Sequence, residues 1–386
     1  MKLFQKFILV CFLVTGSLIS MVYGQESNYN PISTAVPFLT ITPDARSSSL
    51  GDVGAATAPD ANSLYMNPSK YALIDSQYGM SVSYNPLFRT IVKGVHQGYF
   101  SGYSKIGNGQ AIGASFRYFT MGEIVLTGVD QTNMGTVRPR EIAFDVSYSR
   151  KFFSGFSGGL ALRYIRSDLN GGFGGTQAGA ETYSPGNAVS ADFSGFYTHS
   201  LGGLNSINTI AAGVNISNIG SKISYNQGST KEFLPANIKI GTTLTSKFAE
   251  KSSFAISLDL NKLLVPTPKK SYDGTYDNGS NKSVINSIFS SLSDAPGGMK
   301  EELQEVSISA GAELWLMNIL AIRTGYFSGS ESKGIRKYIT SGVGVKINIA
   351  SLDFSYYSPT EKNATLPETY KITLMFNIGS FYPGKY

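Results

Sequence analysis

Apolar and polar residues alternate along many stretches of this chain of 386 residues. From Ile142 the apolar positions continue at Phe144, Val146 and Tyr148, and every residue between them is small or polar. The same period of two recurs in the segments 160–164, 254–260, 339–347, 352–356 and 370–378. Because successive side chains of a β-strand point to opposite faces, each segment predicts a strand with one apolar and one polar face.

The alternation predicts an all-β protein with about fourteen strands. Many of them run for about nine to eleven residues, the length of a tilted strand that crosses a membrane. The expected strands are 78–84, 94–105, 110–120, 141–151, 156–165, 187–199, 208–217, 233–245, 253–262, 305–315, 320–327, 337–347, 350–358 and 370–378.

The links between these segments alternate between short and long. The short links are Ile106–Gln110, Phe152–Gly155, Leu316–Ile319 and Asn348–Ile349, and the long ones are Met121–Arg140, Ser167–Gly186 and Lys262–Gln304. Short periplasmic turns and long external loops are typical of outer-membrane barrels. An even number of strands would place both termini on the periplasmic side.

Charged residues within the segments lie at the alternate positions whose side chains point to the polar face. A Lys or Arg that faced lipid at mid-membrane would cost about 2–4 kcal/mol, whereas one that faces the lumen is tolerated. A soluble β-sandwich also alternates, so the period of two alone does not distinguish it from a barrel, and strand length, link pattern and charge placement together favour the membrane barrel. We therefore predict a transmembrane antiparallel β-barrel. Its inward charges are balanced in sign, which favours a lumen filled by side-chain pairs: Asp145, Arg163, Asp192, Lys239, Asp259, Glu313, Arg323, Lys346, Asp353 and Lys371.

The segment Ala35–Ala72 shows neither strand alternation nor a helical stripe. Small residues dominate 47–58, and prolines divide the backbone into short pieces. Such a segment has too little apolar bulk to offset the entropy of its own ordering, but it can pack inside another structure. We expect residues 25–77 to form an N-terminal hatch, or plug, that enters the barrel (78–386) from the periplasmic side.

Residues 1–24 have the features of a cleaved signal peptide. Lys2 and Lys6 flank the start of the apolar run 7–14, and small residues precede the expected cleavage before Gln25. The only cysteine lies within that signal, so the mature chain has no disulfide, cysteine-based metal site or thiol catalysis. The net charge of +6 includes the two signal lysines, and no Lys/Arg run predicts nucleic-acid binding.

Several short motifs resemble known outer-membrane families. The residues 49–51, 55–56 and 65–68 resemble the hatch of FadL-like proteins, although Ser69-Lys70 stand where that pattern has Ala-Gly. The runs 40–46, 234–239 and 293–298 resemble the PorV family of the type IX secretion system of Bacteroidetes. The resemblance implies a FadL-like barrel of fourteen strands. The hatch residues within these motifs are Asp44, Arg46, Asn67 and Pro68.

The resemblance also implies a role without catalysis in the outer membrane. A protein of this kind would bind the C-terminal signal domain of secreted cargo as the cargo leaves the SprA translocon. It would then shuttle the cargo to the surface attachment complex, whose protease removes the signal. The implied surroundings are outer-membrane lipids and lipopolysaccharide, with no nucleic acid and no cofactor.

The long loop Lys262–Gln304 contains the candidate partner-binding residues. A run of apolar side chains falls there at helical spacing. Two interpretations stay open: a helix that caps its own barrel mouth, or an apolar surface offered to cargo. The residues are Val284, Ile285, Ile288, Phe289 and Leu292.

Catalytic and metal-binding residues are not identified. The two histidines, His96 and His199, lie far apart in the sequence, and no Gly-x-Ser-x-Gly motif accompanies them. Two alternatives to the carrier role remain: a FadL-type channel for hydrophobic compounds, and a lipid A deacylase of the outer membrane.

Overall fold

The computed structural model describes residues 29–88, 93–128, 131–171, 183–202, 207–226, 231–270, 276–334, 337–360 and 369–380. The expected signal peptide lies outside these ranges. No helix in the described part of the chain is long and apolar enough to span a membrane.

Within the described residues, fourteen antiparallel strands close into a barrel in which β1 pairs with β18. The order around the barrel is β1-β18-β17-β16-β15-β14-β11-β10-β9-β8-β7-β6-β3-β2. The remaining strands form two hairpins in long loops, β4 with β5 and β12 with β13. The strands are β1 (Ser76–Pro86), β2 (Val95–Gly107), β3 (Gln110–Met121), β4 (Ile124–Thr127), β5 (Asn133–Val137), β6 (Arg140–Phe153), β7 (Phe156–Asp168), β8 (Gly186–Leu201), β9 (Ile207–Gly220), β10 (Asn237–Ala249), β11 (Ser252–Leu263), β12 (Lys269–Lys270), β13 (Tyr276–Asp277), β14 (Val306–Leu316), β15 (Leu320–Ser328), β16 (Tyr338–Ile347), β17 (Ala350–Pro359) and β18 (Thr369–Ser380).

The predicted barrel is confirmed, and most strand boundaries fall close to the expected ones. The largest difference is at β10, which begins at Asn237 rather than at residue 233. Phe233 and Leu234 are buried in the loops instead, and the Phe233 carbonyl accepts a hydrogen bond from the Ala35 amide. Tertiary packing therefore overrides the local alternation at that point.

The two ends of the barrel differ in their connections. Short turns join β2 to β3, β6 to β7, β10 to β11, β14 to β15 and β16 to β17, and all of them lie at the end where β1 starts and β18 finishes. We call this the turn end, and the opposite end, which carries the long loops, the loop end. Gly155 has φ = 79° in the turn after β6, a conformation that favours glycine.

The wall has an apolar outer face and a polar inner face, as the alternation predicts. Val82, Phe144, Leu162 and Leu258 stand exposed on the outside. All the predicted inward charges except Lys239 and Lys346 are buried in the lumen. Lys239 is half-buried, and Lys346 is exposed near the turn end. An apolar belt around buried charges is the arrangement of a barrel in the outer membrane.

A plug of short helices fills the lumen. Its elements are the 3₁₀ helix Pro37–Thr40, the helices Ala45–Ser49 and Ser63–Met66, and the 3₁₀ helix Pro68–Leu73. The plug enters differently from the expectation, because its first described residues lie among the loops of the loop end. The Asn30 amide donates to the Ser332 carbonyl in the loop after β15. The plug thus runs through the lumen from the loop end to the turn end, where β1 begins.

Glycines in the wall let the plug backbone approach it closely. A Cβ atom at Gly213 would lie 1.9 Å from the Ala55 carbonyl oxygen, and one at Gly325 would lie 2.1 Å from the Gly51 nitrogen. The small residues of the plug therefore pack directly against wall positions that have no side chain.

Candidate functional site

The first part of the plug, residues 29–40, ties several external loops together, and we call it the strap. Side-chain Nδ2 of Asn30 donates to the Pro268 carbonyl at 3.1 Å and to Oε1 of Glu301 at 3.1 Å. The Ala35 amide donates to the Phe233 carbonyl at 3.0 Å. The strap therefore contacts both the loop before β10 and the long loop before β14.

The strap also builds an apolar core across the loop end of the lumen. Val36, Phe38 and Leu39 are buried there against residues of the wall and loops. The rings of Phe38 and Phe119 stack with centroids 6.0 Å apart and planes 11° apart. This core fills the loop end of the lumen on the side formed by β2, β3, β6, β7 and β8.

Deeper in the lumen, Arg46 joins the plug to the wall. Its Nε and Nη2 atoms donate to the two carboxylate oxygens of Glu313 at 3.0 and 2.9 Å, and Nη1 reaches Asp60 at 2.8 Å. Arg323 donates to Glu313 and to Asp353, both at 2.6 Å. Every member is buried, and we call these five residues the plug cluster.

A second buried network joins strands of the wall to one another. Arg163 Nη2 lies 2.8 Å from Asp192 Oδ2, and Arg163 also donates to Asp145 and Asn218. Arg117 Nη2 lies 3.6 Å from Asp145. These residues of β3, β6, β7, β8 and β9 are the wall cluster.

The other predicted hatch residues make structural contacts within the plug. Asp44 caps the helix Ala45–Ser49 by accepting a hydrogen bond from the Ser47 amide at 2.7 Å. Asn67 donates to the Ala55 carbonyl at 2.8 Å and to the Gly195 carbonyl at 3.0 Å. Pro68 starts the last 3₁₀ helix, where its missing N–H is not needed. The motif residues thus shape the plug and attach it to the wall.

A chamber of about 250 Å³ remains between plug and wall below the strap. Asp52, Lys239, Asn215 and Glu305 are among its lining residues. Lys239 Nζ donates to the Asp52 carbonyl at 2.9 Å. Apolar side chains such as Leu39, Met66 and Phe327 line the chamber together with these ionised groups and amides, so its lining is mixed.

The predicted helix in the long loop forms at Val284–Ser290, and Ser283 caps its N-terminus. Its apolar side chains face outward: Ile285 is 66% exposed, Phe289 71% and Leu292 53%. Ser287 and Ser291 are buried on the opposite side, while Val284 and Ile288 are half-buried.

The next helix, Met299–Gln304, extends this exposed apolar area. Met299 is 75% exposed and Leu303 65%. Their spacing of four residues is a helical signal that the sequence prediction missed. We call Ile285, Phe289, Leu292, Met299 and Leu303 the apolar loop surface.

Ion pairs hold the long loop in place. Lys262 Nζ lies 2.9 Å from Glu302 and 2.6 Å from Glu305, and Lys333 lies 2.5 Å from Glu301 and 2.9 Å from Glu305. Although partial burial raises the pKa of Glu301, hydrogen bonds from Lys333, the Gly297 amide and Asn30 bring that pKa below its ordinary value. The loop therefore has a charged inner side and an apolar outer side.

The two histidines stand on the outer face of the wall at opposite ends. His96 lies between Tyr84 and Tyr118 near the loop end, and His199 stacks with Tyr197 near the turn end. Across the described ranges, no group of three or more His, Cys, Asp or Glu side chains is placed to hold a metal ion.

Several solved structures of outer-membrane channels are similar to this chain at low identity. The P. putida toluene transporter TodX is 11% identical, with a TM-score of 0.48 over 86% of this chain and 98% of that chain. The Ralstonia pickettii toluene transporter TbuX is 11% identical, with a TM-score of 0.44 over 86% of this chain and 98% of that chain. A Pseudomonas aeruginosa FadL homologue is 10% identical, with a TM-score of 0.41 over 87% and 98%. No curated protein sequence matches the chain.

The sequence model of the family "Type IX secretion system protein PorV" matches residues 24–270, which is more than half of the chain. The matched part includes the whole plug, the lumen arginines Arg46, Arg117 and Arg163, and the wall as far as β11. The resemblance found in the sequence is thereby confirmed. This outer-membrane barrel belongs to the PorV family of the type IX secretion system.

Proposed function

We propose that this protein captures secreted cargo at the outer face of the outer membrane and carries it from the translocon to the surface attachment machinery. The observation that carries the proposal is the apolar loop surface, which faces outward from a barrel whose lumen holds the plug. Family membership supports the secretion context. In this proposal the C-terminal signal domain of the cargo is the bound part, SprA is the donor and the attachment complex is the acceptor.

The orientation of the loop helix favours partner binding over a self-capping role. A cap would bury its large apolar side chains and expose its serines, whereas here Phe289 is exposed and Ser287 is buried. Burial of an exposed Ile, Leu or Phe contributes about 1.5–3 kcal/mol. A few such side chains on a firmly held loop provide enough free energy for specific binding to a protein.

The contents of the lumen also support the proposal that cargo binds at the loops. The strap and the rest of the plug run through it from the loop end to the turn end, so cargo would meet the loops rather than the inside of the barrel. An apolar solute that crossed the chamber would have to displace water from Lys239 and Asp52. Passage of a hydrophobic compound through the chamber would therefore carry a desolvation cost, which the apolar lining residues Leu39, Met66 and Phe327 offset in part.

The test is a triple variant, Ile285→Ser, Phe289→Ser and Leu292→Ser, in the full-length protein. The purified signal domain of a cargo protein serves as bait, and capture of the barrel from detergent solution is measured. We expect affinity to fall at least about tenfold, since each substitution removes more than about 1 kcal/mol of apolar burial. Deletion of Val284–Leu292 should abolish capture while the barrel keeps its heat-modifiable migration.

The matched control is Met317→Ser with Ile349→Ser, two equally exposed apolar residues in turns at the opposite end. This control should capture the bait normally. Undiminished capture by the triple variant would contradict the proposal. Detergent extracts should contain secreted proteins and translocon subunits bound to the barrel; fatty-acid-like ligands in their place would favour the channel.

A further inference from the structure

At the turn end the plug leaves a recess of about 530 Å³ on one side of the barrel. Inward residues of β10, β11, β14 and β16 form its wall, and plug residues such as Leu50 and Ala58 form its floor. The other side of the same end is filled by the 3₁₀ helix Pro68–Leu73, which packs against β6 and β7. The volume is within the range of about 300–1,000 Å³ that ligand pockets occupy.

The charges that line this recess do not cancel. Arg46 and Glu313 are paired with each other through two hydrogen bonds, so they contribute no net charge. Lys247 and Lys346 remain, and within the described ranges neither side chain has an ion-pair partner. The rest of the lining is neutral and includes the hydroxyls of Thr243, Thr245, Ser253 and Ser257. Two unpaired cations in a recess with low-dielectric walls concentrate a positive potential there.

The strand register places the two lysines on opposite sides of the recess. Lys247 pairs with Ser253, Ser253 with Trp315, Trp315 with Ala321 and Ala321 with Gly344, two residues before Lys346. Four steps between strands separate β10 from β16, which is roughly 19 Å along the wall. A single small anion cannot contact both lysines across that span, whereas an extended chain with several carboxylates can.

Trp315 stands between the lysines and is the only tryptophan of the chain. The guanidinium of Arg323 lies 5.5 Å from its ring centroid, which fixes the indole against the wall. Its remaining face and the surrounding hydroxyls offer an apolar surface and hydrogen-bonding groups to a bound backbone.

We propose that this recess binds an acidic peptide segment of a periplasmic protein, with Lys247 and Lys346 contacting its carboxylates beside Trp315. The site is on the opposite side of the membrane from the apolar loop surface. It therefore stands independently of the proposed cargo binding. A barrel with both sites has a periplasmic attachment point separate from its external one.

The emission of Trp315 provides a direct test, because no other tryptophan contributes. Purified full-length protein is titrated with a hexapeptide of Glu and Asp, with a Lys hexapeptide, and with inorganic phosphate. We expect the acidic peptide alone to shift the emission saturably, with an affinity that falls as salt is raised. No shift with the acidic peptide would overturn the proposal, as would an equal response to phosphate, which would indicate an adventitious anion site.

The double variant Lys247→Gln and Lys346→Gln should weaken the acidic peptide about tenfold, the loss expected for two solvent-accessible ion pairs. Lys251→Gln changes a neighbouring exposed lysine outside the recess and should bind normally. Unliganded emission and heat-modifiable migration verify that each variant is folded. Equal binding by the double variant and the wild type would refute the assignment.

Discussion

The wall cluster and the plug cluster are both buried ion networks in the same lumen, but they join different parts of the molecule. Arg163 connects Asp145 on β6 with Asp192 on β8, so the ion pairs of the wall cluster join strands to one another. Its Arg117 also donates a hydrogen bond to the Leu39 carbonyl of the strap at 3.3 Å. Arg46 comes from the plug and binds Glu313 on β14. The same chemistry therefore closes a barrel in one place and retains a separate segment in the other.

The consequences of losing one arginine also differ. Among the described residues, Arg163 is the only cation within ion-pair distance of Asp192. Glu313 has two cationic partners, because Arg323 lies 2.6 Å from it on the wall. Removal of Arg163 leaves the wall residue Asp192 without a cationic partner. Removal of Arg46 leaves the wall residue Glu313 paired with Arg323, and the carboxylate that loses its partner is Asp60, which belongs to the plug itself. We expect the first change to damage the barrel and the second to free the plug.

The largest effect is expected for Arg163→Leu. Breaking a buried ion pair by removal of one partner costs about 3–5 kcal/mol, since the remaining charge stays buried. Urea titration in lipid vesicles should show that loss in the free energy of unfolding. Arg163→Lys should lie between the variant and the wild type, because it keeps the charge but loses the two-pronged contact. An unchanged urea midpoint in the leucine variant would show that the cluster does not support the wall.

An intermediate effect is expected for Arg46→Leu. The plug loses its contacts to Glu313 and Asp60, at about 1–3 kcal/mol, while the wall keeps the pair of Glu313 with Arg323. Conductance across planar bilayers should rise, and the barrel should still migrate as a folded species. Arg138→Leu is the matched control, because Arg138 pairs with Glu123 at an exposed site. Closed, non-conducting Arg46→Leu channels would mean that the strap core alone holds the plug.

The smallest effect concerns the strap and pH. The pKa of Glu301 is lowered in the folded protein by Lys333, the Gly297 amide and Asn30, although partial burial opposes them. A lowered folded pKa contributes stability above the ordinary value of 4.5, and this contribution is lost as the pH falls through the folded pKa. Below pH 4.5 the strap should therefore detach more often from the long loop.

Cysteine labelling can measure this detachment, because the only natural cysteine lies in the expected signal peptide. The labelling rate of Ala35→Cys, a buried position, is divided by that of Tyr29→Cys, an exposed one, at each pH. The ratio should rise as the pH is lowered, and Glu301→Gln should remove most of that dependence. A ratio that does not change with pH would show that Glu301 has no part in holding the strap.

The wall was predictable because its constraint is local. Outward residues such as Leu162 face lipid, and inward residues such as Arg163 face the lumen. The residue type at each position therefore indicates directly which face of the strand it belongs to. The plug was predictable only as a segment that cannot fold alone. Nothing in its composition showed that it begins among the loops and ends at β1. The loop helix was found by its spacing, but its outward direction was not.

The sequence by itself determined a closed barrel with an apolar outer face, a polar lumen and a segment of small residues inside it. These features follow from the alternation of apolar and polar residues, from strand length and from composition. Each of these can be observed in one stretch of the chain without knowledge of the others. Only the tertiary structure decided that Arg46 meets Glu313 across 267 positions, that Ile285 and Phe289 face outward, and that Lys247 and Lys346 flank Trp315. Such relations depend on the register and closure of the whole barrel, which bring distant residues together by geometry that no local pattern contains.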